Sequence, residues 1–261
     1  MQKYKNIIIQ NLMNGIAKVI LNDPKTYNSL SFDTINSLIN ALTFLNNDIN
    51  TKVIIIEGVG KGFCAGHNLK EIQSLKNKSS YQKLFNRCSK LMLDITNHKK
   101  PIIAKIHGAA FAAGCQLVAS CDLAYSTKDS IFSTPGVNIG LFCSTPMVAL
   151  SRKVNRKQSM KMLLTGEPIN AIYAKDIGLI NDYFSSLKLD KEVINVAKLI
   201  SSKSSLVLKI GKRAFYNQLE MPIKKAYQYT SKIMTENMMK VDAQEGIDAF
   251  VEKRVPKWKN K

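Results

Sequence analysis

The 261-residue chain carries 38 Lys and Arg against 19 Asp and Glu, a formal net charge of +19, with 45% apolar residues. That apolar share excludes a disordered polymer, and the length supports one large domain or a main domain with a smaller companion. No apolar run reaches the roughly 18 residues of a membrane-spanning helix. Only Arg87, Arg152, Arg156, Arg213 and Arg254 are arginine, and the lysines are scattered, which argues for a solvated lysine surface rather than a nucleic-acid reader.

In chain order, Met1 to Gln10 sets three isoleucines behind two lysines and reads as a first strand. It lacks the length and the small-residue cleavage site of a signal peptide, and the Arg- and Ser-rich character of a transit peptide. The expectation is a soluble cytoplasmic protein, or one of the mitochondrial matrix if the source is eukaryotic. Ala17-Lys-Val-Ile-Leu21 reads as a strand and Asn22 to Asn28 as a turn-rich loop, after which Ser31 caps a helix reaching about Asn47. Val53 to Glu57 is a strand, Ser79 to Thr96 a helix, Pro101 to Ile106 a strand and Gly114 to Ser120 a short helix. Asp122 to Ser126 and Ile131 to Thr134 read as further short strands. From about Ser204 the pattern turns helical throughout, with Leu206 to Leu219, Ile223 to Met239 and Gln244 to Arg254 as three amphipathic helices. The division expected is a β/α core over residues 1–200 and a helical oligomerisation region over 201–261.

Two glycine-rich segments carry the most chemistry. Gly60-Lys-Gly-Phe-Cys-Ala-Gly-His-Asn-Leu-Lys70 follows the strand Val53 to Glu57, and His107-Gly-Ala-Ala-Phe-Ala-Ala-Gly-Cys-Gln-Leu117 follows Pro101 to Ile106. A loop of small residues at a strand end lets backbone N–H groups approach a ligand closely. Two such loops can aim two donors at one oxygen, the requirement of an oxyanion hole. Cys64, Cys88, Cys115, Cys121 and Cys143 contain no Cys-x-x-Cys pair, which argues against a disulfide framework or a zinc site. The excess positive charge suits a polyphosphate ligand.

Five collinear stretches resemble the crotonase (enoyl-CoA hydratase/isomerase) superfamily. They are Phe63-Cys-Ala-Gly-His-Asn-Leu-Lys70, Lys100-Pro-Ile-Ile-Ala-Lys-Ile-His-Gly108, Gly114-Cys-Gln-Leu-Val-Ala-Ser-Cys-Asp-Leu123, Leu164-Thr-Gly-Glu-Pro-Ile169 with Gly178-Leu-Ile, and Gln244 to Arg254. Gly66-His67 and Gly140-Leu-Phe-Cys-Ser-Thr145 resemble one group of hydratase-domain proteins within it. The resemblance implies an α/β fold, a spiral of ββα turns followed by helices that build a homotrimer or a dimer of trimers. It implies an acyl-CoA thioester as ligand, the CoA moiety belonging to the substrate and no separate cofactor or metal. It implies an oxyanion hole from the backbone N–H groups of His67 and Ala113. Lys25, Thr26 and Tyr27 would border the CoA, and Cys64, Ala65, His67, Asn68, Leu69 and Lys70 would line it and hold the adenine.

The hydratases of that family use two glutamates, which by position fall on Gln116 and Gly136 here; an aspartate of the dienoyl isomerases falls on or near Ser144. A glutamine orients water by hydrogen bonds but does not ionise. Enzymatic activity, of atypical or weak hydratase/isomerase type, is therefore expected from His67, Ala113 and Gln116. Two alternatives stay open. One is a decarboxylase or thioester-cleaving variant using His67, since a methylmalonyl-CoA decarboxylase branch also has Gly-His there, although its tyrosine is replaced near Cys143. The other is a non-catalytic acyl-CoA-binding regulatory protein. Among the remaining candidates, Cys115, Cys121 and Cys143 read as packing residues, His107 and Asp122 as structural, His98 as a surface loop residue, and Met234, Met238 and Met239 as core.

Overall fold

In a computed structural model, which describes residues 2–261, the isoleucine-rich runs assemble into a seven-stranded sheet. The elements begin with β1 (Gln2–Tyr4), β2 (Ile7–Asn11), β3 (Ile16–Leu21), α1 (Phe32–Asn47), β4 (Val53–Gly58), α2 (Leu69–Ser74) and α3 (Lys78–Thr96). They continue through β5 (Ile102–Ile106), β6 (Ala109–Phe111), α4 (Ala113–Ser120), β7 (Leu123–Thr127), β8 (Ile131–Ser133), α5 (Pro146–Leu150) and α6 (Arg156–Thr165). The last are β9 (Ile169–Asn170), α7 (Ala171–Asp176), β10 (Asp182–Phe184), α8 (Ser186–Ser201), α9 (Ser205–Leu219), α10 (Ile223–Met238) and α11 (Val241–Val251).

The sheet order is β1-β2-β3-β4-β5-β7-β10, and β6, β8 and β9 form a second, three-stranded sheet. Strands β3, β4, β5, β7 and β10 run parallel, while β1 and β2 pair antiparallel. Buried on both faces, a parallel strand reads as a continuous apolar run, which is why Val53-Ile-Ile-Ile56 shows no alternation. Ile54 and Ile56 face the main core with Leu38, Leu42, Leu91 and Ile102. Val53 and Ile55 face the other way, onto Leu189, Val193 and Ala197 of α8.

Capping follows the sequence. The Ser31 side chain accepts the Thr34 N–H, as expected for the start of α1. The stretch Met1 to Gln10, expected as one strand, is a hairpin in its described residues, because Asn6 takes φ 62° and turns the chain between β1 and β2. Helices α2, α5, α6, α7 and α8 were not evident in the sequence pattern; α2, α5 and α7 are only five or six residues long. The helical stretch after residue 204 is present as α9, α10 and α11.

Two further expectations fail. His98 is buried, not a surface residue: its Nε2–H reaches Leu42 O at 3.1 Å and its Nδ1 accepts the Lys100 N–H at 3.1 Å. The Asn-His-Lys-Lys context hides this, since both partners are backbone groups set by the chain's turn back onto α1. Met234, Met238 and Met239 are 62%, 37% and 81% exposed rather than core, because the described residues leave that side of α10 and its C-terminal end open. Cys115, Cys121 and Cys143 are buried as read, and burial pushes the Cys115 thiol up to about 12.

Candidate active site

The two glycine segments are hydrogen-bonded to each other. The Cys64 N–H donates to Ala109 O at 3.1 Å and the Phe111 N–H to Cys64 O at 2.9 Å. Gly114 packs so tightly on this crossing that a Cβ there would lie 2.1 Å from Cys64 O. Gly66 has φ +91°, and its Cβ would come within 2.9 Å of Phe111 O and 3.2 Å of Ala113 N. Glycine at both positions is thus a steric requirement, and it brings the residue after Gly66 to the start of α4.

Ala112 makes that start unusual. Its φ of 47° and ψ of −114° lie in a region that disfavours any residue with a Cβ. Its own groups hold the conformation: its N–H donates to Ser133 O at 2.9 Å and its carbonyl accepts the Gln116 N–H at 3.0 Å. Among the described residues, neither the His67 N–H nor the Ala113 N–H donates to a protein acceptor. Ala113 opens the eight-residue helix α4, so the N-terminal dipole adds positive potential at its donor.

His67 is held from two sides. Its Nδ1 lies 3.2 Å from Leu30 O, and Phe85 of α3 meets the ring edge-on with centroids 5.6 Å apart. A carbonyl only accepts, so Nδ1 carries the proton and Nε2 is left as an acceptor. Burial lowers the His67 pKa below the ordinary imidazole value and keeps the ring neutral. His67 Nε2, Gln116 Oε1 and Thr134 Oγ1 are among the buried side-chain atoms that have no partner among the described residues. Gln116 and Thr134 are only 4% and 1% exposed, so these atoms do not find bulk water.

The remaining expected ligand contacts divide by geometry. The Ala65 N–H donates to Tyr27 O at 3.0 Å, which joins the segment Lys25, Thr26 and Tyr27 to the first glycine loop. Lys25, Tyr27, Ala65, Leu69 and Lys70 are exposed along this rim. Thr26 spends its hydroxyl on Asp23 Oδ2 at 2.6 Å. The Asn68 side chain caps α2, accepting the Lys70 and Glu71 N–H groups at 3.1 and 3.2 Å. Cys64 is fully buried with both backbone polar groups used inside the protein, so it shapes the loop without reaching its surface.

The Gly136 position is closed as well as lacking a side chain. A Cβ there would lie 2.6 Å from Leu141 O and 2.9 Å from Cys143 Sγ. A longer side chain would have to displace the 141–143 loop. Ser144 is exposed, its hydroxyl turned to Phe142 O at 3.3 Å. His107 Nε2 bonds Gly60 O at 2.8 Å, a structural use that braces the first glycine loop.

Sequence reading missed three contributors. The Glu71 carboxylate accepts the Phe32 N–H at 3.0 Å, fastening α2 to the start of α1. Thr134 is identifiable only through its unpartnered hydroxyl, and the strain at Ala112 only through its dihedrals. The Glu71 signal was present in outline, as an acid three residues after the capping Asn68, but its partner lies 39 residues back.

The family model for enoyl-CoA hydratase/isomerase matches residues 11–261. This chain belongs to the enoyl-CoA hydratase/isomerase family. Human enoyl-CoA hydratase domain-containing protein 3, mitochondrial, is 44% identical over 246 residues, covering 94% of this chain and 81% of that protein. The crystal structure of that human protein matches with a TM-score of 0.94 at 43% identity, covering 97% of this chain and 100% of that one. A crystal structure of enoyl-CoA hydratase from Mycobacterium smegmatis matches with a TM-score of 0.95 at 42% identity, covering 97% and 98% of the two chains. The crotonase fold implied by the five sequence stretches is therefore the fold of this enoyl-CoA hydratase/isomerase family member.

Proposed function

We propose that this protein binds acyl-CoA thioesters and polarises the thioester carbonyl with the backbone N–H groups of His67 and Ala113. The observation that carries the reading is the closeness of Gly66 to the start of α4, where an added Cβ would lie 3.2 Å from Ala113 N, together with the His67 and Ala113 N–H groups having no acceptor among the described residues. Donors of this kind stabilise an enolate developing at the thioester oxygen, each worth about 3 kcal/mol of barrier. The rim formed by Lys25, Tyr27, Ala65, Leu69 and Lys70 would take the CoA, whose phosphates suit a chain of net charge +19. The mitochondrial names of its relatives support a matrix location in a eukaryotic source.

Hydration should be weak. Water addition needs groups that deliver and remove protons, and the two positions read as the family's acids hold Gln116 and Gly136. The space beside Gly136 is filled by Leu141 and Cys143, which supports a site built without that acid. His67 is a neutral, buried ring whose Nδ1–H is committed to Leu30. We further propose that the uncovered faces of α10 and α11 pair with other copies to form a trimer or a dimer of trimers.

The test is calorimetric binding of butyryl-CoA alongside an assay of crotonyl-CoA hydration. Expected are saturable binding and turnover far below the roughly 10 s⁻¹ typical of enzymes. Failure to bind any thioester refutes the binding reading, and hydration near that typical rate refutes the weak-activity reading.

A further inference from the structure

Helices α1 and α3 pack together, and a groove of about 1070 Å³ runs between them, lined by Phe32 and Asn36 of α1 and by Lys78, Lys83, Arg87 and Lys90 of α3. That is the size of a small-molecule site. Among the described residues no carboxylate lines it. Each helix carries one acid, and both are already paired: Asp33 with Lys5 at 2.6 Å and Asp94 with Lys90 at 2.7 Å. The Glu71 carboxylate, close by in the fold, is taken up by the Phe32 N–H at 3.0 Å. Lys78, Lys83 and Arg87 therefore have no ion-pair partner among the described residues.

Arg87 is the fixed point of the groove. Its side chain is half-buried, and its Nε–H donates to Asn36 Oδ1 at 2.6 Å. A neutral carboxamide orients the guanidinium without cancelling its charge, and the Nη groups have no acceptor among the described residues. Lys83 lies one turn before Arg87 and Lys90 about one turn after it, so like charges follow one another along one face. Such a row weakens a helix, and an anion laid across it removes the repulsion. Gln82 donates from Nε2 to Asn86 Oδ1 at 2.8 Å, which leaves the Asn86 NH₂ as a further donor on the same wall.

The groove also limits the class of anion. A single carboxylate would answer Arg87 and leave the lysines unmatched. Linked phosphoryl groups concentrate several charges and acceptor oxygens in a small volume, so they can meet the Arg87 fork and the ammonium groups together. A single nucleic-acid strand binds by stacking its bases on open aromatic faces. Here the Phe32 ring is covered by the Lys83 ammonium, 5.4 Å from its centroid. A membrane surface is flat and would not reach a guanidinium held half-buried against α1. We infer that the groove between α1 and α3 binds a small polyphosphorylated anion, gripped by Arg87 with Lys78 and Lys83. The site shares no residue with the glycine loops or with the rim that would take the CoA, so it stands apart from the thioester reading.

The probe is inorganic tripolyphosphate, titrated calorimetrically into the full-length protein at low salt. Saturable binding is expected, weakened at least about tenfold in Arg87→Gln, the loss of hydrogen bonds to a charged group. Lys83→Gln, a change at an exposed position, should weaken it by a smaller factor. Lys188→Gln removes the same charge from an exposed position on α8 and should bind as the parent does. A parallel titration with ATP separates the sources: tighter binding than tripolyphosphate identifies a nucleotide, and equal binding a ligand read through its phosphates alone. No saturable binding, or an equal loss in Lys188→Gln, overturns the inference. Tighter Arg87-dependent binding of a single-stranded oligoribonucleotide or of phosphatidylserine vesicles also overturns it. A parallel loss of butyryl-CoA affinity in Arg87→Gln would make the groove part of the CoA site and overturn a separate one.

Discussion

Gly66 and Ala112 meet so closely that a Cβ on Gly66 would lie 3.0 Å from the Ala112 Cβ and 2.9 Å from Phe111 O. Gly66→Ala would also place a methyl on a residue at φ +91°. The loop has to move away from α4, carrying the His67 N–H with it. We expect a stability loss of about 1–3 kcal/mol in urea unfolding and a more than tenfold rise in the butyryl-CoA dissociation constant. Unchanged affinity in the folded variant would show that the Gly66 contact does not set the donor pair.

Ala112 is the converse case. At φ 47° and ψ −114° the alanine is strained, and glycine would adopt the same conformation freely. Relief of about 1–3 kcal/mol of strain is offset in part by roughly 0.4–1 kcal/mol from the looser unfolded chain. Ala112→Gly is therefore expected to match or exceed the parent in urea midpoint while binding thioesters more weakly, because the Ala113 N–H is less firmly aimed. A clear drop in stability would mean the strain is absorbed elsewhere.

The sequence made the fold legible because its strongest signals are local. Val53 to Glu57 and Pro101 to Ile106 announce central strands, and the two glycine segments announce close backbone approach. What sequence could not show depends on contacts that exist only once the chain has folded back on itself. The burial of His98 depends on Leu42 O, the cap on Phe32 depends on Glu71, and the closure of the Gly136 position depends on a loop five to seven residues later. The unpartnered Thr134 hydroxyl is invisible in sequence for the same reason. A threonine before a proline has no local mark of whether its hydroxyl finds a bond.

Lys212 of α9 carries a second long-range dependence. Its ammonium lies 2.7 Å from Asp122 Oδ2 and donates to Ile95 O and Lys100 O, both at 3.1 Å, with the side chain 8% exposed. Asp122 also takes the Ile102 N–H at 2.7 Å and the Tyr216 hydroxyl at 2.9 Å. Lys212→Met would leave a carboxylate and two carbonyls short of a donor, and removing one partner of a buried pair costs about 3–5 kcal/mol. Adding Asp122→Asn should recover part of the loss, giving a non-additive cycle by chemical denaturation. Simple additivity would make the pair energetically independent.

The C-terminal region presents Tyr227 on α10, Met239 just after it and Phe250 on α11 at 73%, 81% and 85% exposure. Apolar groups exposed together mark an interaction surface. Phe250→Glu places a charge in the proposed subunit contact, and light scattering after size exclusion should show a shift from trimer or hexamer toward monomer. A parent protein that is itself monomeric would refute the proposed assembly.

His98 makes stability depend on pH. Burial, reinforced by the positive charges of Lys212 and Lys100, holds its pKa at about 4 instead of 6.5. The neutral ring donates from Nε2 to Leu42 O and accepts at Nδ1 from the Lys100 N–H at 3.1 Å, so a second proton would give up that bond for the longer contact to Lys100 O at 3.3 Å. Because the folded pKa is depressed, the unfolded chain binds the proton first as pH falls. The contribution is complete above 6.5 and is lost progressively down to about 4. At about 1.4 kcal/mol per pKa unit, the loss approaches 3 kcal/mol. In His98→Gln the amide can keep both bonds but does not titrate here. The stability difference between parent and variant is therefore expected to move by about 3 kcal/mol against the parent as the pH is lowered through this window. A difference independent of pH would mean that His98 is not held neutral by its burial.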